Sequence, residues 1–334
     1  MKTIRKYPFL SFYVFAEMIA LAVMAVRAIV YRGNPAAGAA VLELLWKWSK
    51  DGAHPINAIN IGRFAFETRN YTFMLVWVFA SAPAISAIVI SALTGGKERV
   101  KRLFARLKPW GEEVGPGEGI RIYSVIVLAY LVVFAMLLAV SRLKPDLFQL
   151  AYATLGGTPL LALLSALVLL FLDEGGSLEE LGWRGFAWPL LQERMSPRTA
   201  SICLGLLWAA WHLPREIPDV LSGIRFGQWG WGRVHFSQWA GGQAQFFLYC
   251  IALTVVIGYA VNRTGGSVLP AIMIHGGTNV WSKTNALTAL DQYYMPKGID
   301  FRMILLVAIA VFLLVRAGPE LGRRPKTDEA APRA

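Results

Sequence analysis

The sequence predicts an all-α fold, a polytopic membrane helix bundle with about eight transmembrane helices, and three observations predict it. Of 334 residues, 56% are hydrophobic and 16% charged, with a mean hydropathy of +0.48. That balance is too apolar for an ordinary soluble domain. The apolar residues gather into runs, many ended by Gly or Pro. Much of the basic excess, a formal net charge of +12, flanks those runs, so membrane topology accounts for it better than nucleic acid does. Cys203 and Cys250 both lie within apolar runs and show no disulfide or zinc-ribbon spacing.

In chain order, Lys2, Arg5 and Lys6 lead into an apolar run from Phe9 to about Tyr31. This exceeds a signal-peptide core and reads as an uncleaved first span. Residues 32–70 are a mixed loop in which Leu42 to Trp48 suits the membrane interface. A second span covers about Thr72 to Thr94, and Gly95-Gly96 is expected to end it. The cluster Lys97, Arg99, Lys101, Arg102, Arg106 and Lys108 follows, marking a cytoplasmic loop that can contact anionic lipid. A third span runs from about Ile120 to Val140.

The fourth span is irregular. Pro159 to Leu172 falls short of the ~20 residues a crossing needs and is interrupted by Asp173-Glu174-Gly175-Gly176. Ser177 and Glu180 fit a capping box, which predicts a helix restart there. Non-helical backbone at membrane depth must be buried in protein or line a wet cavity. After an amphipathic connector, a fifth span from Thr199 to Leu213 ends at Pro214. The loop 215–242, rich in Gly and Trp, reads as an aromatic belt or a lid. A sixth span covers about Ala244 to Val261, Gly265-Gly266 turns the chain, the seventh starts near Val268, and the eighth runs from Ile304 to Val315. Eight spans return both termini to the cytoplasm. The sequons at Asn70 and Asn262 adjoin membrane runs and carry no weight.

The chemistry lies in Ser177-Leu-Glu-Glu-Leu-Gly-Trp-Arg-Gly185 and in two later helices. Ionisable residues at membrane depth mark function by default. Glu180 and Arg184, four apart, form an acid-then-base helix pair with a structural role. Glu179 points elsewhere and is the chemical carboxylate. His212 and His275 are its candidate partners, with Asn279 one turn beyond His275 on the same face. A carboxylate with two imidazoles can activate water by acid and base, or Glu179, His212 and His275 can hold zinc as a His₂Glu set. No His-Glu-x-x-His helix pins two ligands together, so both alternatives stand. Asn279 offers an amide donor for an oxyanion. His54 and His235 lie in loops and receive no role.

Glu179-Glu180-x-x-x-Arg184, an aromatic residue four before His212, and His275-x-x-x-Asn279, in that order, resemble the three motifs of the CPBP family of intramembrane proteases. That family includes type II CAAX prenyl endopeptidases and Abi immunity proteins. The resemblance covers 158–290; residues 1–157 and 291–334 lie outside it. It implies that Glu179 activates water with His212, that His275 and Asn279 steady the tetrahedral intermediate or His275 binds metal, and that Glu180, Arg184 and Trp208 support them. Trp208 departs from the Phe common in the prenyl endopeptidases. The implied function is hydrolysis of a peptide bond in a membrane-associated protein or peptide, in the cell membrane and without nucleic acid. A non-proteolytic scaffold or immunity protein is the alternative. A transporter would also explain the broken helix, but no matching Glu-Glu motif stands in the first half.

The orientation is testable by labelling intact cells. Cysteines engineered into loops 32–70 and 215–242 are expected to react from outside, and one replacing Lys101 to be spared; labelling at position 101 overturns the orientation.

Overall fold

The computed structural model describes residues 2–30, 40–41, 43–45, 47–49, 57–143, 158–217, 220, 234–283 and 301–324. Among them every regular element is helical, as expected of an all-α chain. In order these are α1 (Pro8–Val30), α2 (Ala58–Glu67), α3 (Met74–Ala105), α4 (Pro116–Leu143), α5 (Pro159–Leu172), α6 (Glu174–Gly182), α7 (Pro197–Trp211), α8 (Val234–Arg263), α9 (Leu269–Lys283) and α10 (Phe301–Arg316). Short turns connect several of them.

Four helices, α1, α3, α4 and α8, are long and apolar enough to cross a membrane. The other expected crossings correspond to α5, α7, α9 and α10, of 14, 15, 15 and 16 residues. α5 and α7 fall short of the ~20 residues of a simple span, as do α9 and α10 over their described residues. The long helices bury one stripe and expose the other, as Phe12, Ala16, Ala20 and Val23 show by repeating on the inner face of α1.

Four local expectations are corrected. Gly95-Gly96 does not end the second span: Gly96 adopts φ 60°, ψ −155° and kinks α3, and the basic cluster continues helically to Ala105. The loop 32–70 contains α2, capped by Asn57, whose side chain accepts from Asn60 N at 2.9 Å. Ser177 is not a helix cap. Asp173 leaves helical geometry at φ −60°, ψ 133°, and its Oδ1 accepts from Gly176 N at 2.9 Å, so α6 starts one turn before Ser177. Ser177 Oγ then donates back to the Asp173 carbonyl at 2.5 Å from inside the helix. His54 and most of the 215–242 stretch lie outside the described residues, while His235 stands in α8 rather than a loop.

The core gathers around Trp183, Trp188, Trp211 and Phe12, all at most 2% exposed. Phe12 of α1 meets Trp183 edge-on at 5.4 Å, which holds the N-terminal helix against the segment that bears the carboxylates. Close helix approach completes the packing. At Gly182 an added Cβ would stand 2.4 Å from the backbone of Pro83 in α3, and at Gly276 one would stand 2.4 Å from the Leu170 carbonyl oxygen.

Gly182→Ala therefore forces α3 and α6 apart and is expected to cost about 1–3 kcal/mol, seen as a lower melting temperature in detergent. Gly117→Ala, which meets nothing within 4 Å, should not lower it. Equal melting of the two variants would show that the α3–α6 approach can give way.

Candidate active site

α6 continues into a π turn, Trp183–Ala187, and a short helix, Trp188–Gln192. The extra residue of a π turn shifts the helical register and is common at functional sites. Here the widened turn carries Arg184. Glu180, one turn earlier, and Arg184 are both fully buried.

Arg184 Nη1 donates to Glu180 Oε1 at 2.8 Å, and its Nη2 donates to Thr254 Oγ1 of α8 at 2.9 Å. The guanidinium lies 4.5 Å from the Trp208 ring centroid, a cation–π contact. Glu180 Oε1 also accepts from His275 Nδ1 at 2.8 Å. Glu180 thus serves α9 as well as its own helix, which makes it more than the partner of Arg184. A carboxylate opposite Nδ1 fixes the proton there and leaves Nε2 as the other functional nitrogen of His275.

Glu179 faces away from that pair, as its position on the helix predicts. It is 5% exposed, and its Oε2 accepts from Trp208 Nε1 at 2.8 Å. Trp208 also meets the His275 ring edge-on at 4.9 Å. His212 stands at the C-cap of α7, where the last carbonyls lack helical partners. Its Nδ1 donates to the Trp208 carbonyl at 2.8 Å, which directs Nε2 away from the helix end. Around it stand Trp211 at 4.7 Å and Phe246 at 5.1 Å. Among the described residues no hydrogen bond joins Glu179 to either histidine.

Asn279 does not stand free as an oxyanion donor. Its Nδ2 donates to Asp173 Oδ1 at 2.8 Å, leaving the second amide proton. Sequence reasoning missed Asp173 as a cap and as the anchor of Asn279; the preference for Asp at a helix start was the available signal. It also missed Thr254, for which an apolar helix gives no signal. Among the described residues no group of three or more His, Cys, Asp or Glu side chains is arranged to hold a metal ion.

Fold and site together define a helical membrane protein with a buried carboxylate–guanidinium–imidazole cluster where short helices meet. Residues 156–281, which span that cluster, match the family model for type II CAAX prenyl endopeptidase Rce1-like proteins. Over this segment the chain is similar to that family. A curated relative, CAAX prenyl protease 2 of Methanococcus maripaludis, is 31% identical over 146 residues, which is 44% of this chain and 49% of the relative. The match therefore spans about half the length of that relative.

Trp208→Phe keeps the ring against Arg184 and His275 but removes the donor to Glu179. With the carboxylate left buried and unpaired, stability should fall by about 1–3 kcal/mol, measured by thermal unfolding in detergent. An unchanged melting temperature would mean that water replaces the indole at Glu179.

Proposed function

We propose that the chain is a membrane-embedded endopeptidase that hydrolyses a peptide bond in a membrane-associated protein or peptide. The observation that carries this reading is the buried Glu179, held by Trp208 apart from the Glu180–Arg184 pair, with His212, His275 and Asn279 on neighbouring helices in the segment that matches the family. The relative's name makes prenylated C-terminal motifs the first substrates to test. The same reading takes α5, α7, α9 and α10 as further crossings, eight in all, with both termini inside.

In this mechanism Glu179 removes a proton from water as the oxygen attacks the scissile carbonyl. His212 assists through Nε2, since Nδ1–H is held by the Trp208 carbonyl. The second amide proton of Asn279 and, once protonated, Nε2–H of His275 steady the oxyanion. Collapse of the tetrahedral intermediate breaks the C–N bond. The proton taken from water passes to the departing amine, which closes the balance without a redox partner. The separation of the groups is met by substrate and water, because catalytic hydrogen bonds often tighten only in the complex.

Glu179→Gln keeps size and the indole contact but removes the proton acceptor. Hydrolysis of membrane peptides by the purified protein should fall about 10²–10⁴-fold with little change in melting temperature. Glu180→Gln should lose stability as well, because it weakens the contacts to both Arg184 and His275. Full turnover in Glu179→Gln sinks the proposed base, and a stable wild-type protein that cleaves no membrane peptide favours the scaffold reading.

A further inference from the structure

A cavity of about 470 Å³ opens between the C-terminal part of α3 and the segment that follows the π turn. Its size is in the range of small-molecule sites. Arg99, Arg102 and Arg106 line one side, spaced three and four apart so that they share a helix face. Phe186 and Glu193 stand on the other side, and the Arg99 guanidinium lies 5.7 Å from the Phe186 ring centroid. Arg106 Nη1 donates to the Gly266 carbonyl at 3.4 Å.

The charge in this cavity is not neutralised from within the described residues. Lys101 pairs with Glu98 at 2.9 Å and Lys108 approaches Glu112 at 3.6 Å, but among the described residues no carboxylate pairs with Arg99 or Arg102. Arg99 and Arg102 thus face one carboxylate of the lining, Glu193, while Arg106 also feels the charge of Glu113. Ser91, fully buried in α3, also borders the cavity.

The position of the cavity narrows what fills it. Ser91 belongs to the apolar part of α3, while Arg99 lies beyond the kink at Gly96 in the basic part. The cavity therefore straddles the apolar-to-basic boundary, the depth at which a bilayer carries its headgroups.

We propose that this cavity binds a phosphate group, supplied by the headgroup of an anionic phospholipid. Arg99 and Arg102 engage the phosphate oxygens through their planar forks. Glu193 accepts from a headgroup hydroxyl, which suits a glycerol head. Because Phe186 belongs to the same π turn as Arg184, the ligand also braces the segment that carries the buried ion pair.

The test uses the full chain in detergent at fixed ionic strength, with melting temperature and titration calorimetry as readouts. Short-chain phosphatidylglycerol should bind saturably and raise the melting temperature, and short-chain phosphatidylcholine should not. Arg102→Ala, at an exposed side chain, and the Arg99→Ala/Arg102→Ala pair should weaken binding about tenfold or more. Lys101→Ala, on the same helix but off the cavity wall, should bind as the wild type does. Saturable binding of inorganic phosphate with equal affinity and equal stabilisation keeps the site and assigns it to a soluble phosphate. No saturable binding, equal stabilisation by phosphatidylcholine, or an equal loss in Lys101→Ala overturns the proposal.

Discussion

The rest of the site depends on the burial of one ion pair. Taking a carboxylate and a guanidinium out of water costs several kcal/mol per ion, and attraction offsets this only when further hydrogen bonds satisfy both groups. Here the compensation comes from separate helices: Thr254 of α8 and the Trp208 ring of α7 on Arg184, and His275 of α9 on Glu180. The compensation is incomplete, since Glu180 Oε2 and Arg184 Nε have no hydrogen-bond partner among the described residues. A pair satisfied in this way binds the helices that satisfy it. The position of His275 is thereby tied to the charge on Glu180.

Trp208 links this pair to the chemical groups. Its indole N–H holds Glu179, its ring covers Arg184 and meets His275, and its carbonyl holds His212. A phenyl ring could supply the packing but not the hydrogen bond to Glu179. The two adjacent carboxylates thus have different partners: Glu180 receives a guanidinium and an imidazole, and Glu179 receives the indole N–H.

What was legible in the sequence was local. The apolar runs located the helices, the four-residue spacing identified the Glu180–Arg184 pair, and the order of the motifs identified the helices that meet. What was not legible depended on distant contacts. Thr254 is 70 residues from Arg184, His275 is 95 from Glu180, and Asn279 is 106 from Asp173. No periodicity specifies such partners. Errors over boundaries arose where two signals competed locally. Asp173 and Ser177 are both good caps, and the earlier one prevailed because its side chain reaches Gly176 N. Gly95-Gly96 suggested a stop, yet one left-handed glycine was enough to redirect α3 without ending it.

The division between long and short helices explains how polar groups come to lie inside an apolar body. A helix rises 1.5 Å per residue, so the 14 residues of α5 cover about 21 Å, against a hydrocarbon layer of roughly 30 Å. A helix of that length, set along the membrane normal, cannot place both ends in water. Its ends must therefore be satisfied by protein, and this is what Asp173 does at the α5–α6 junction and His212 does at the end of α7. Helix ends are where backbone amides and carbonyls stand unpaired, and they attract polar side chains that a continuous span would exclude. In this reading the short helices are the means by which carboxylates, imidazoles and an amide reach the interior. The long helices α1, α3, α4 and α8 supply the apolar frame around them.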